Sequence, residues 1–409
     1  MSENPYVGPR AFLEGEKLPA HEREAAELTD LLIAERIVLL HSPSGAGKTS
    51  LIRAGVVPLL REERIGQKRF QPVPLRVKTP VPQGRTVPNR YVYSAALDLL
   101  RDHDPQELES LTFPEVLHRV RQQLTSGFPV LIFDQFEEIL TLDPADWGGQ
   151  EVFFRELGSV LADRYVWALF SMRDDYIGGL DRFLPYLPGY LRTTYRLDFL
   201  QPDAARIAIQ EPAHDEGVAF ADEAADRLLR RLTTVKVERP GSGVVETQAP
   251  YVVPFQLQVM CWKIWQSWKS VANEKGETLS SIGLDDIETY GDVDEALRAY
   301  YADTVREVAS QLEEPLIREW EIRNWFERQL ITEQHFRSQT QANPVSREAY
   351  PGQIRQALVD AYLIRSDTRA GATWYELSHD NLIEPILESN KRAREARKTP
   401  PAPSQVTHS

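Results

Sequence analysis

The chain of 409 residues carries 47 Lys plus Arg against 61 Asp plus Glu, a formal net charge of −14, which argues against non-specific attachment to DNA or an anionic lipid surface. Hydrophobic residues at 42% with charged residues at 26% are globular proportions and exclude wholesale disorder, and a single cysteine, Cys261, excludes an internal disulfide framework and a Cys-cluster zinc site. The longest unbroken apolar run, Tyr165 to Phe170, falls far short of the roughly 20 residues of a membrane helix, and the opening MSENPYVGPR lacks a signal peptide's apolar core. No membrane association is expected, and the expected location is cytoplasmic.

In chain order, residues 1–200 alternate short apolar runs with amphipathic stretches, the pattern of a parallel α/β sheet with crossover helices. Strands are predicted at Ile37–His41, Val73–Val77, Val130–Asp134, Tyr165–Met172 and Tyr195–Phe199, and helices beginning near Ala20, Gly47, Pro114 and Gly149. From 201 the pattern predicts helices without strands, starting at Pro202-Asp203 and Asp222, with ERPGSGVVETQAP as a polar loop. A helix from Pro254 carries Trp262, Trp265 and Trp268 at spacings that favour a packed face over a ligand box. Asp292–Ala309 is predicted helical. Residues 314–396 combine helices bearing Trp320 and Trp325 with two β-like runs around Arg369-Ala370-Gly371, a winged-helix plan. The Pro-rich end, 397–409, is expected to be disordered.

The chemistry concentrates in IVLLHSPSGAGKTSLIRAGVV. A buried strand runs into a small-residue loop, and Gly47-Lys48-Thr49 opens a helix. Glycine lets backbone N–H groups turn inward, and the helix N-terminus adds partial positive charge. Ser44, Gly45, Ala46, Gly47, Lys48, Thr49 and Ser50 are therefore the candidate phosphate cradle. Lys48 is placed to reach the terminal phosphates, and the Thr49 hydroxyl to ligate Mg²⁺. The P-loop pattern G-x-x-x-x-G-K-[ST] is incomplete, because His41 holds the first glycine position.

A hydrophobic strand ending in Asp134, with Glu137 and Glu138 just beyond it, supplies the second half of such a site: a metal-shell carboxylate and an acid that orients water. The separation suits two neighbouring strands. Either Glu137 or Glu138 could be the water-orienting acid, with Glu137 favoured. Arg173, at the end of the next strand, is either a γ-phosphate sensor or the partner of Asp174 or Asp175. No H-E-x-x-H pair and no G-x-S-x-G elbow is present, which disfavours a zinc protease or serine hydrolase.

SPSGAGKTSLIRAGVVPLL with VLIFDQFEEIL resembles the STAND class of signal-transducing P-loop ATPases, in particular the prokaryotic novel STAND group. NPYVGPRAF, SMRDDYIGGL, AIQEPA, PFQLQVMCWKIW, TYGDVDEAL and YELSHDNLIEPI extend the resemblance over nearly the whole chain. It implies a P-loop core of the AAA+ type at 1–200, an all-α lid at 201–313 and a winged helix at 314–396. It also implies ATP or ADP with Mg²⁺ as ligands, a proline near the adenine (Pro254), and a histidine (His379) that either touches bound ADP or only neighbours a helix cap.

By this resemblance the chain is a slowly hydrolysing ATP/ADP switch controlling self-association or partner activation, in prokaryotic conflict and defence. Effector and sensor are expected beyond these residues or on another protein. Two departures stand out. His41 replaces a glycine, which is expected to crowd the loop, and Leu18-Pro19-Ala20-His21-Glu22 lacks the family's arginine. They keep open a non-hydrolysing nucleotide-bound scaffold. An AAA+-like ATPase acting on DNA is the other alternative, although nucleic acid is not the expected partner.

Overall fold

The computed structural model describes residues 4–77, 86–124, 127–141, 143, 145–239, 243–275, 280–312, 315–333, 335, 337–341, 352–369, 372–378 and 382–398. The chain divides into two compact units, Met1–Asp286 with Asp367–Thr373, and Ile287–Ser366 with Trp374–Ser409.

In the first unit, β1 (Ile37–Ser42), β2 (Arg64–Ile65), β3 (Lys68–Leu75), β4 (Gly127–Phe133), β5 (Trp167–Arg173) and β6 (Thr194–Arg196) form one sheet in the order β2-β3-β4-β5-β1-β6. All neighbours run parallel except β2 and β3. Helices α1 (Glu22–Glu35), α2 (Lys48–Ser50) and α3 (Val57–Glu62) precede β2, and a π-helical stretch, Leu51–Val56, joins α2 to α3. Between β3 and β5 come α4 (Arg90–Leu99), α5 (Pro105–Leu108), α6 (Phe113–Gln123), α7 (Glu138–Thr141) and α8 (Trp147–Leu161).

The apolar runs read as strands are buried on both faces, as parallel strands covered by helices must be. Val38, Leu40, Val130, Ile132 and Leu169 pack with Leu28, Leu32, Leu51 and Val56 on one side. Their alternates Leu39, Leu131, Phe133 and Phe170 pack with Tyr91, Phe113 and Phe153 on the other. Each such side chain contributes about 1.5–3 kcal/mol. At Gly55 a β-carbon would stand 2.8 Å from that of Ala25, so glycine is what lets α1 lie against the helix that follows the loop.

Two expectations are corrected here. The strand predicted at Val73–Val77 starts at Lys68 and ends at Leu75, which leaves Arg76 beyond the sheet. Prolines at 72 and 74 and the polar Lys68-Arg69 obscure its start, since neither signals a strand. The segment after 200 is not all-helical. Besides α9 (Pro202–Asp215), α10 (Asp222–Thr233), α11 (Pro254–Lys275) and α12 (Leu284–Tyr290), it contains β7 (Ala219–Phe220), β8 (Thr234–Arg239), β9 (Gly243–Gln248) and β10 (Ser281–Ile282). β7 pairs with β10, and β8 with β9 as an antiparallel pair whose second strand lies in the expected polar loop. The alternation Val235-Lys236-Val237-Glu238 is a strand signal present in the sequence.

The tryptophans of α11 form a packed face: Trp265 and Trp268 are buried, Tyr6 meets Trp265 edge-on, and Trp268 donates to the Ser281 carbonyl at 3.1 Å. The N-terminal segment lies along these helices. Asn4 donates to the Trp262 carbonyl at 3.0 Å and the Tyr6 hydroxyl to that of Ile209 at 2.5 Å, before Phe12 N–H reaches Ser50 Oγ at 3.2 Å.

The second unit contains α13 (Val293–Ser310), α14 (Pro315–Trp325), β11 (Thr340–Gln341), α15 (Gly352–Asp360) and α16 (Ile383–Lys398), with Ile364–Ser366 of β12 (Ile364–Arg369) and Trp374–Leu377 of β13 (Ala372–Leu377); the strand order is β11-β13-β12. Its core includes a satisfied polar network: buried Asn390 accepts from Tyr301 at 3.1 Å and from Arg323 at 3.2 Å, and donates to the Arg323 carbonyl at 2.9 Å. Among the described residues no helix is long and apolar enough to cross a membrane.

Candidate nucleotide-binding site

β1 brings the chain to the C-terminal edge of the sheet, where the loop turns into α2. Gly45 and Gly47 have φ of 84° and 98°, left-handed angles that glycine adopts at little cost. Ala46 between them is buried. A loop with such angles ahead of a helix N-terminus is the kind of backbone that presents successive N–H groups to an anion.

His41 does not crowd this loop. It is a strand residue paired with Met172, and it is not among the positions with positive φ, so nothing there requires glycine. Its Nδ1 lies 2.7 Å from Asp174 Oδ1. The second departure, His21, is also close: it is buried, and its Nε2 lies 4.0 Å from where a β-carbon on Gly47 would stand.

β5 lies between β1 and β4, so the strands leading to Thr49 and Asp134 are not neighbours, contrary to the sequence expectation. The side chains meet nonetheless, because both extend past the edge of the sheet: Thr49 Oγ1 is 3.2 Å from each Asp134 carboxylate oxygen. Past Asp134 the chain takes a left-handed turn at Gln135, φ 59°, strain of a kind that clusters at functional sites. Phe136 N–H then bonds the Ser171 carbonyl at 2.7 Å.

Lys48 Nζ donates to Ser42 Oγ at 2.8 Å. Burial lowers its pKa, while the negative charges of Glu137 and Asp134 act to raise it. Burial raises the pKa of Glu137, opposed by Lys48, and Glu137 Oε2 is shielded from solvent with no hydrogen-bond partner. The charges of the two groups thus act on each other, and burial disfavours the charged form of both. Glu138 is placed differently: its charge acts on Arg76. Arg173 sits opposite Ser42 in the β1–β5 register, is bonded to Asp175, and lies 5.3 Å from the Tyr176 ring centroid. Its charge acts on both Lys48 and Glu137. It is therefore both an ion-pair partner and a neighbour of the candidate cradle.

Hard oxygens from Thr49 and Asp134 converge beside a lysine and an orphaned carboxylate oxygen. That donor set fits Mg²⁺, which takes one or two protein oxygens and the rest from phosphates and water. Two further predicted residues have these surroundings. Ser50 Oγ accepts from Phe12 N–H. Pro254 begins α11, which follows a bridge between Val252 and Leu200. His379 lies outside the described residues. The sequence reading missed Arg76, whose Nη2 is 3.4 Å from Asp134 Oδ2. Asp134, Glu138 and Asp98 raise the Arg76 pKa against the opposing effect of burial. Placing the end of β3 at Leu75 would have exposed it.

A family model described as Novel STAND NTPase 1 matches residues 5–398. No curated protein matches the chain. Among solved structures the chain is similar to the Aeropyrum pernix ORC2 protein in ADPNP-ADP complexes, at 13% identity and TM-score 0.45, covering 95% of this chain and 99% of that one. It is similar to a Walker-type ATPase of Pyrococcus abyssi at 13% identity and TM-score 0.45, covering 92% and 98%. It is also similar to Drosophila ORC bound to DNA at 12% identity and TM-score 0.42, covering 94% and 90%.

Proposed function

The chain belongs to the novel STAND NTPase 1 family, and from that premise we propose that it is an ATP/ADP-dependent switch that hydrolyses ATP slowly with Mg²⁺. The observation that carries the proposal is the meeting of Thr49 and Asp134 at 3.2 Å beside Lys48, at the mouth of a loop held by Gly45 and Gly47.

In this reading the N–H groups of the loop and the Lys48 ammonium bind the phosphates. When bound, the metal ion supplies positive charge that withdraws electrons from the phosphoryl oxygens. Thr49 and Asp134 would hold that ion. Glu137 would orient the attacking water and accept its proton as the new P–O bond forms and the bond to the leaving diphosphate breaks. Its desolvated carboxyl is suited to this, because a base works best when its pKa approaches the working pH. Arg173 would bind the γ-phosphate on leaving Asp175.

We further propose that the helices and three-stranded sheet of 314–396 are a winged helix, and that self-association or partner activation is the output. Nucleotide can shift such an equilibrium only by its difference in affinity for the two conformations. The biological setting we propose is prokaryotic defence.

The net charge of −14 weighs against nucleic acid as a partner, whereas one protein of similar fold, Drosophila ORC, is bound to DNA. A DNA titration at varied salt separates the two: no affinity at low salt supports the switch reading, and a steep salt-dependent affinity supports a DNA-acting ATPase. The direct test of the proposal is mass analysis of nucleotide co-purifying with the protein. ADP or ATP is expected. Protein that is nucleotide-free and silent to both in a calorimeter would overturn it.

A further inference from the structure

β3 and β4 are in register at Leu75 and Phe133, and Asp134 N–H bonds the Leu75 carbonyl at 3.2 Å. One residue beyond that pair, Arg76 and Asp134 therefore emerge side by side at the edge of the sheet. The Arg76 backbone is fixed there by its own N–H to Asp98 Oδ2 at 2.8 Å and by the Ser94 hydroxyl on its carbonyl at 3.3 Å. Its guanidinium stands 3.4 Å from Asp134 Oδ2, the carboxylate that also accepts from Thr49. The Asp134 side chain is 9% exposed and that of Arg76 34%. The charge is thus brought to a nearly buried carboxylate by the sheet rather than by a freely swinging surface chain. The other acidic groups acting on the guanidinium are Glu138 and Asp98.

Resting on the nucleotide-binding reading above, we infer that Arg76 is a resident counter-ion of Asp134 that sets how strongly nucleotide binding depends on a divalent cation. A guanidinium is always charged. Beside Asp134 it does two things at once: it offsets negative charge that would repel a polyphosphate, and it competes for the carboxylate that would otherwise draw the metal. Both effects act in one direction. They make nucleotide binding stronger without metal and metal binding weaker without nucleotide. The pocket is thereby adapted to retain nucleotide when the metal leaves.

The test is calorimetric titration of ADP into the purified full chain, in excess magnesium and in EDTA, for wild type, Arg76→Gln and Arg76→Lys. Arg76→Gln is expected to raise the ratio of Kd in EDTA to Kd in magnesium by about tenfold, while Arg76→Lys, which keeps the charge, stays near the wild-type ratio. Without nucleotide, Mn²⁺ should bind Arg76→Gln more tightly than wild type, read by loss of the free-ion electron paramagnetic resonance signal. Thermal unfolding checks that each variant folds, and Arg76→Met is a second neutral variant should the glutamine fail. An unchanged ratio would overturn the inference, as would an equal loss of affinity in both conditions, which would make Arg76 a phosphate contact. Those outcomes leave the nucleotide reading standing. Absence of ADP binding by wild type in both conditions overturns that reading and this inference with it.

Discussion

His41 Nδ1 and Asp174 Oδ1 lie 2.7 Å apart across the paired ends of β1 and β5, and this contact explains how a histidine stands at the first position of a phosphate-binding loop. The carboxylate can only accept, so Nδ1 carries the proton. Asp174 Oδ2 is in turn 3.5 Å from Arg196 Nε, on β6. The Nδ1 side of the ring is thus held by the carboxylate that follows β5.

His41→Gly should therefore leave nucleotide affinity within about threefold of wild type while lowering stability by about 1 kcal/mol, the scale of a lost hydrogen bond. Calorimetric titration with ADP and thermal unfolding measure the two effects. A large gain in affinity would show that the histidine obstructs the loop after all.

Lys48→Ala removes the cation facing Glu137 and Asp134. Charge-assisted bonds contribute about 1.5–3 kcal/mol each, so ADP and ATP affinity should fall at least about tenfold. Unchanged binding by titration calorimetry would exclude Lys48 from the phosphate site.

Glu137 and Glu138 are adjacent in sequence but act on different partners, Lys48 and Arg76 respectively. Glu137→Gln should abolish phosphate release, and Glu138→Gln should keep it within about fivefold of wild type, since Glu137 is the acid whose charge acts on Lys48. The measurement is single-turnover phosphate release. Equal background rates for wild type and both variants would favour a nucleotide-bound scaffold without turnover.

Glu376, on β13, is bonded to Arg365 and accepts from Gln339 at 3.0 Å. Burial acts to raise its pKa, but Arg365 and Gln339 outweigh it and hold the carboxyl below its ordinary 4.5. A depressed carboxyl adds stability that is fully present above the unfolded value and is lost as pH falls through the folded one. Glu376→Gln should therefore be less stable than wild type above about pH 4.5, with the gap closing as the solution is acidified further. Denaturant titrations across that range check it, and a constant gap would remove Glu376 from the acid response.

The P-loop strand, the glycines at 45 and 47, Lys48, Thr49 and the carboxylate at 134 were legible in the sequence because each is a local requirement. An apolar run must be buried, a left-handed turn prefers glycine, and a strand-end acid follows directly from its strand. The paired strands β8 and β9 carry a local signal too, in the alternating Val235 and Val237, next to a Pro-Gly-Ser-Gly sequence that by composition signals a loop. What the tertiary structure alone decided is which strand ends share an edge. The insertion of β5 between β1 and β4, the ring of His41 turned to Asp174, and Arg76 placed beside Asp134 all depend on strand order and register. Those are properties of contacts between residues far apart in the chain, where the free energy of burial and pairing, and not local preference, selects the neighbour.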